Sequence, residues 1–172
     1  MRMALFNLTD LCDGLTRGQC LLGLDPGART IGLALSDVRL RLAGPYGQLR
    51  RGKLAHNAAE VLAITQREGA GGLVVGLPLN LDGGFGPAAQ AARDWARALS
   101  DATGLPATLW DERLTTSSVH DLLIEQAQLR PARRAAAVDR LAAAQILQAA
   151  LDAWQKARNP AASEGFDERH NI

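Results

Sequence analysis

The stretch that most constrains this chain is LLGLDPGARTIGLALSD, residues 21–37. Leu21–Leu24 is a short apolar run followed at once by a carboxylate, Asp25. Pro26 and Gly27 then force a turn, and residues 30–36 form a second apolar, β-rich run. This pattern predicts a β-hairpin with one acid at its bend. Gly27 suits a positive φ in the turn, and Gly32 lets another backbone or a phosphate come close. An acid beside a glycine turn, on a strand that must be buried, points to metal or phosphate chemistry. An aspartate that only shapes the turn fits this stretch equally well.

Downstream, the hydrophobic period alternates between strand and helix. Residues 43–49 read as a third strand. Leu54, Ala58, Val61, Leu62 and Thr65 share a helical face, with Asn57, Glu60, Arg67 and Glu68 elsewhere, and Gly69 ends that helix. Leu73–Val75 is wholly apolar, as in a strand buried on both faces. Pro87 opens a second helix, whose stripe is Ala88, Ala91, Ala92, Trp95 and Leu99, and Gly104 closes it. Residues 107–110 are a further strand, followed directly by Asp111, Glu112 and Arg113. Thr115 or Thr116 is placed to cap another helix. A basic loop around Pro131 leads to a last helix over about 135–156. The order β-β-β-α-β-α-β-α-α predicts an α/β domain with a mixed sheet and helices on both faces.

The domain proper is expected over residues 19–157. Residues 1–18 read as an N-terminal extension, where Leu5, Leu8, Leu11 and Leu15 recur at helical spacing. Residues 158–172 read as a flexible C-terminal tail without any period. A chain of 172 residues with 47% hydrophobic and 22% charged residues supports one sizeable core. No apolar run is long enough to cross a bilayer, and the first residues make a poor signal peptide, so a cytoplasmic protein is expected. Cys12 and Cys20 lack C-x-x-C spacing and a nearby histidine, which predicts free thiols rather than a zinc site. A net charge of +1 neither demands nor excludes a nucleic-acid partner. The clusters Arg50, Arg51, Lys53 and Arg130, Arg133, Arg134 read as solvated faces, or as contacts to a phosphate backbone if they flank an acidic site.

Three carboxylates stand in awkward places. Asp25 and Glu112 each follow an apolar strand, so both reach one edge of the sheet if those strands are neighbours. In the last helix, at about 100° per residue, Asp139 aligns with Ile146 and Ala150, away from the arc of Gln145, Gln148, Asp152 and Gln155. An acid on a packing face is costly unless it is paired. A first-turn position would ease that cost through the helix dipole, and a purely stabilising N-terminal acid remains the alternative. Three hard oxygen donors without histidine or cysteine suit Mg²⁺ or Mn²⁺. Two such ions sharing carboxylates activate water and stabilise a leaving oxygen in phosphodiester cleavage. His56 and His120 fall on polar faces and His170 in the tail, so none is expected to be catalytic.

GLDPGARTIGLALSD, VVGLPLNLDG, WDERLTT and VDRLAAAQIL, in that order, resemble the YqgF (RuvX) family of RNase H-like nucleases. The resemblance covers about residues 21–151. It implies an RNase H-like fold with a five-stranded mixed sheet flanked by helices. It also implies a metal-dependent nuclease with Asp25, Glu112 and Asp139 as its acidic trio, acting in 5′-end maturation of precursor 16S ribosomal RNA. The family is similar to the RuvC Holliday-junction resolvases, which makes branched DNA the alternative substrate. Those resolvases carry a fourth acid three residues before the last, where this chain has Ala136. Arg29, Arg113, Asn80, Arg133 and Arg134 are the candidate nucleic-acid contacts. Arg113 suits a bidentate grip on phosphate, or equally a salt bridge to Asp111. Asp82 is expected to shape its turn. A monomer or homodimer, and a binding adaptor without catalysis, both remain open at this point.

Overall fold

The computed structural model describes residues 4–79, 83–114 and 131–162; of 131–139 and 162 only the backbone is described. The strands are β1 (Leu5–Phe6), β2 (Cys20–Pro26), β3 (Thr30–Ser36), β4 (Ala43–Arg50), β5 (Ala70–Leu77) and β6 (Ala107–Asp111). The helices are α1 (Leu8–Asp13), α2 (Leu54–Glu68), α3 (Pro87–Thr103) and α4 (Pro131–Arg158). The sheet runs β1-β6-β5-β2-β3-β4. β2 pairs antiparallel with β3, and β3 with β4, whereas β2–β5, β5–β6 and β1–β6 are parallel. The mixed α/β sheet is therefore as expected, with six strands rather than five. The sixth is the two-residue β1, where the N-terminal stretch pairs alongside β6. Helical periodicity at Leu5 was misleading: α1 begins only at Leu8, behind the cap Asn7, whose side chain accepts from the Asp10 N–H.

Period-2 alternation divides the core into two layers. Leu22, Leu24, Leu33, Leu73 and Val75 pack with Val61, Ile64, Ala96 and Leu99 on the α2/α3 side. Leu21, Ala34 and Val74 pack with Leu147, Leu151 and Trp154 of α4 and with Leu11 and Cys12 of α1. Gly23 faces α4, where a Cβ would lie 2.9 Å from Leu147 Cβ and 3.4 Å from the Ala143 carbonyl oxygen. The missing side chain lets the helix descend onto β2. Asp25, two residues on, points to the same side of the sheet.

The polar arc of α4 grips the β3–β4 connection rather than facing only water. Gln148 accepts from the Ala43 N–H at 2.8 Å and donates to the Arg41 carbonyl, and Gln155 donates to the Leu40 carbonyl. Ser36 is structural: its Oγ accepts from the Leu21 N–H at 2.8 Å. α2 ends at Gly69 with φ 74° and α3 at Gly104 with φ 71°, both as predicted. Two details differ. Asn57 is completely buried, because its amide donates to the Arg50 carbonyl and accepts from the Gly52 N–H, tying down the β4–α2 loop. The buried stripe of α3 is Ala89, Ala92, Ala96, Leu99 and Ser100, while Ala88 and Ala91 are exposed.

α4 starts at Pro131, so the expected basic loop is helical there and Arg133 and Arg134 lie in its first turn. Asp139 consequently falls in the third turn, out of reach of the N-terminal dipole. The helix dipole does not explain that acid. Cys12 and Cys20 are free and buried, and burial pushes the Cys12 thiol up to about 11. Among the described residues no helix is long and apolar enough to cross a membrane. The expected helix after Thr115 or Thr116, His120 and Arg130, the loop residues Asn80 and Asp82, and residues 163–172, with His170, lie outside the described residues.

Candidate active site

Parallel pairing brings the ends of β2, β5 and β6 to one edge of the sheet, the position where open α/β sheets place their ligands. Asp25 lies near the end of β2, and Glu112 directly follows β6 in a 3₁₀ turn over Glu112–Leu114. Their strands are not neighbours, as the two-acid argument supposed: β5 runs between them. The carboxylates nevertheless form a hydrogen-bonded pair. Gly76 of β5 makes this possible. A Cβ on Gly76 would lie 2.8 Å from Glu112 Oε1 and 2.8 Å from Ile146 Cδ1. Glu112 thus leans across a strand over a residue that has no side chain, against the α4 face.

That contact shapes the electrostatics. Burial, then the charge of Asp25, then the hydrogen bond with Asp25, then Asp111, push the Glu112 carboxyl from 4.5 up to about 7. Two carboxylates in contact cannot both ionise cheaply, so they share a proton near neutrality. A divalent cation taking oxygen donors would replace that proton, and the donor chemistry of the pair fits such a group. Among the described side chains no third histidine, cysteine or acid completes a cluster. The Asp139 side chain lies outside them.

The basic candidates divide. Arg113 forms the salt bridge that the sequence left open: its Nη2 lies 2.6 Å from Asp111 Oδ2, and its Nε donates to both Asp111 oxygens at 3.1 Å. The Arg113 guanidinium holds the Asp111 carboxyl below the usual carboxylate range. Its Nη1 lies 3.1 Å from where Gly83 would carry a Cβ, and Gly83 has φ +85°. Arg29 is exposed in the β2–β3 turn, and its carbonyl accepts from the Arg51 N–H at 2.9 Å. Arg51 Nη1 also donates to the Gly27 carbonyl at 2.7 Å, and its guanidinium lies 5.6 Å from the Trp95 ring centroid. Arg133 and Arg134 are described in backbone only, and Asn80 not at all. His56 is exposed beside Glu60 at 3.3 Å, on a polar face as expected. Sequence reasoning missed Gly76; the signal was a glycine interrupting an apolar strand, which marks a close approach. It also missed Phe85, an aromatic residue in a glycine-rich loop that is 46% exposed at this same edge.

Comparisons with known proteins agree with this architecture. The RuvX family model, described as "Holliday junction resolvase", matches residues 19–153. A protein of Gluconacetobacter diazotrophicus named "Putative pre-16S rRNA nuclease" is 62% identical over 151 residues, covering 88% of this chain and 98% of that one. A protein of Acidiphilium cryptum with the same name is 55% identical over 156 residues, covering 91% and 98%. Among solved structures, T. thermophilus RuvC in complex with a Holliday junction substrate superposes with a TM-score of 0.52 at 18% identity, covering 80% of this chain and 96% of that one. That likeness supports the RNase H-like fold expected above. With the family model matched across β2 to β6 and relatives of this identity over most of its length, the chain belongs to the RuvX family.

Proposed function

We propose that this protein is a divalent-metal-dependent endonuclease that hydrolyses phosphodiester bonds in the 5′-end maturation of precursor 16S rRNA. The observation that carries this reading is the Asp25–Glu112 pair closed over Gly76. The names of the relatives supply the substrate. Asp139 is the third acid of the proposed site. It precedes Ala143, whose carbonyl faces Gly23, by four residues, and Ile146, which faces Gly76, by seven. Four and seven residues both return to nearly the same helix face, so position 139 shares the face of α4 that carries Ala143 and Ile146.

Asp25, Glu112 and Asp139 would hold Mg²⁺ or Mn²⁺. When bound, the metal supplies charge for the phosphate oxygens and a lowered pKa for attacking water. On binding it the carboxylates would give up their shared proton. Arg29 and Arg113, with Asn80, Arg133 and Arg134, are the proposed contacts along the nucleic-acid backbone; Asp111 fixes the orientation of Arg113. The protein is proposed to act in the cytoplasm as a monomer or homodimer, with residues 19–157 as the nuclease domain between an N-terminal extension and a C-terminal tail. The family description and the RuvC-like sheet favour a second reading, resolution of four-way DNA junctions. Cleavage of a precursor 16S rRNA fragment, with a four-way junction as competitor, separates the two. The rRNA reading requires Mg²⁺- or Mn²⁺-dependent cuts in the RNA that excess junction leaves in place. Preferential cutting of the junction would overturn it.

A further inference from the structure

We propose that Phe85 is a stacking platform for an unpaired nucleobase at the sheet edge that carries the acid pair, so that the enzyme selects single-stranded over fully paired substrate. The inference rests on the nuclease reading and adds the form of nucleic acid that the site accepts. One exposed apolar side chain carries no meaning by itself. Here four further features converge on it. Phe85 stands between Gly84 and Gly86, so its chain neighbours bring no side chains against the ring. The Arg93 guanidinium lies 5.9 Å from its centroid, within cation–π range. The loop lies against Arg113, whose Nη1 is 3.1 Å from where Gly83 would carry a Cβ, and Arg113 is the residue after Glu112. Phe85 is two residues from Gly83, at most about 7 Å along an extended backbone.

The fourth feature is charge. The Arg93 guanidinium over the ring, with the N-terminus of α3, which has no side-chain cap at Gly86, gives the loop a positive potential. A polyanion with flat π-faces matches that set. A stacked base is read through its face, which a paired base inside a duplex does not offer. The contact therefore favours an unpaired nucleotide without favouring any sequence.

The test measures binding of the full chain to a fluorescein-labelled single-stranded RNA and to the same sequence as a blunt duplex, by anisotropy without added divalent metal. Phe85→Ala is expected to weaken single-strand binding about tenfold or more, as when one stacked base is lost, and to change duplex binding less than twofold. Phe85→Trp is expected to restore it. With 2-aminopurine in the strand, wild type should quench its emission on binding and Phe85→Ala should not. Thermal melting of each variant shows that the exposed substitution leaves the fold intact. Equal single-strand affinity of wild type and Phe85→Ala would overturn the stacking inference alone, as for a surface that meets a protein instead. Equal losses on both nucleic acids would overturn the selectivity. If wild type binds neither, the nuclease reading fails together with it.

Discussion

Gly76→Ala tests the way the acid pair is assembled. The added Cβ would lie 2.8 Å from Glu112 Oε1 and 2.8 Å from Ile146 Cδ1, which is 0.6 Å short of the 3.4 Å where ordinary contact begins. Both are the ends of side chains, so both can retreat. Overpacking costs about 1–3 kcal/mol in general, and a contact with two mobile ends belongs at the bottom of that range. Restricting the unfolded chain returns about 0.4–1 kcal/mol. The net change in stability should stay within about 1 kcal/mol. The change at the site is larger, because Glu112 reaches Asp25 only by crossing this position. A displacement of about 1 Å at a reacting centre costs on the order of a hundredfold, so a loss of about tenfold or more is expected in Mn²⁺ affinity and in cleavage. Calorimetric titration with Mn²⁺, beside urea unfolding of the same protein, reads both quantities. Wild-type Mn²⁺ affinity in a folded Gly76→Ala protein would refute the reasoning.

Gly23→Ala should behave in the opposite way: its Cβ meets Leu147 Cβ at 2.9 Å, an atom rooted on the helix, so α4 must lift from β2. A loss of about 1–3 kcal/mol in urea unfolding is expected, and an unchanged midpoint would show that the seam is loose. The Glu112 carboxyl makes stability depend on pH. Its folded pKa of about 7 exceeds the usual 4.5, so the folded state binds more protons across that window and stability falls as pH rises through it. Unfolding midpoints of wild type minus those of Glu112→Gln should decline between those values without metal; a flat or rising difference contradicts the paired geometry. Mn²⁺ binding would expel the shared proton, so affinity should climb to about pH 7 and then level off, as calorimetry in buffers of different ionisation enthalpy would reveal. Asn57→Ala strands the Gly52 N–H and the Arg50 carbonyl, at about 1–3 kcal/mol for a buried group left unpaired. A shift below about 0.5 kcal/mol in urea unfolding would mean that water replaces the amide.

Much of this fold is legible from residues 21–37 onward because its punctuation is strong. Gly69, Gly104 and Pro87 mark helix ends that the structure reproduces, and the apolar runs around Leu22 and Val74 become central strands. The errors occur where side chains carry little information. α3 is alanine-rich, so neighbouring faces look alike and the buried stripe falls on Ala89, Ala92 and Ala96. β1 is two residues long, too short for any period to reveal, and its pairing with β6 depends on tertiary contact. Asn57 reads as polar surface because its partners are backbone groups, which leave no trace in a hydrophobic pattern. At the site, the acids Asp25 and Glu112 were visible as carboxylates ending apolar strands. What brings them together was not. Strand order is a long-range property, and the residue that lets Glu112 cross β5 is a glycine, visible only as an absence of side chain.

The most direct test is cleavage of a precursor 16S rRNA fragment with Mg²⁺ or Mn²⁺, comparing wild type with Asp139→Asn. The substitution keeps the shape of the side chain and removes its charge. Wild type should cut only with metal, and the variant should lose at least about a hundredfold, since even residues behind a metal ligand cost 10–100-fold. Both proteins should bind the RNA, with affinity that falls as salt rises. Metal-independent cutting, or an Asp139→Asn protein as active as wild type, would contradict the account.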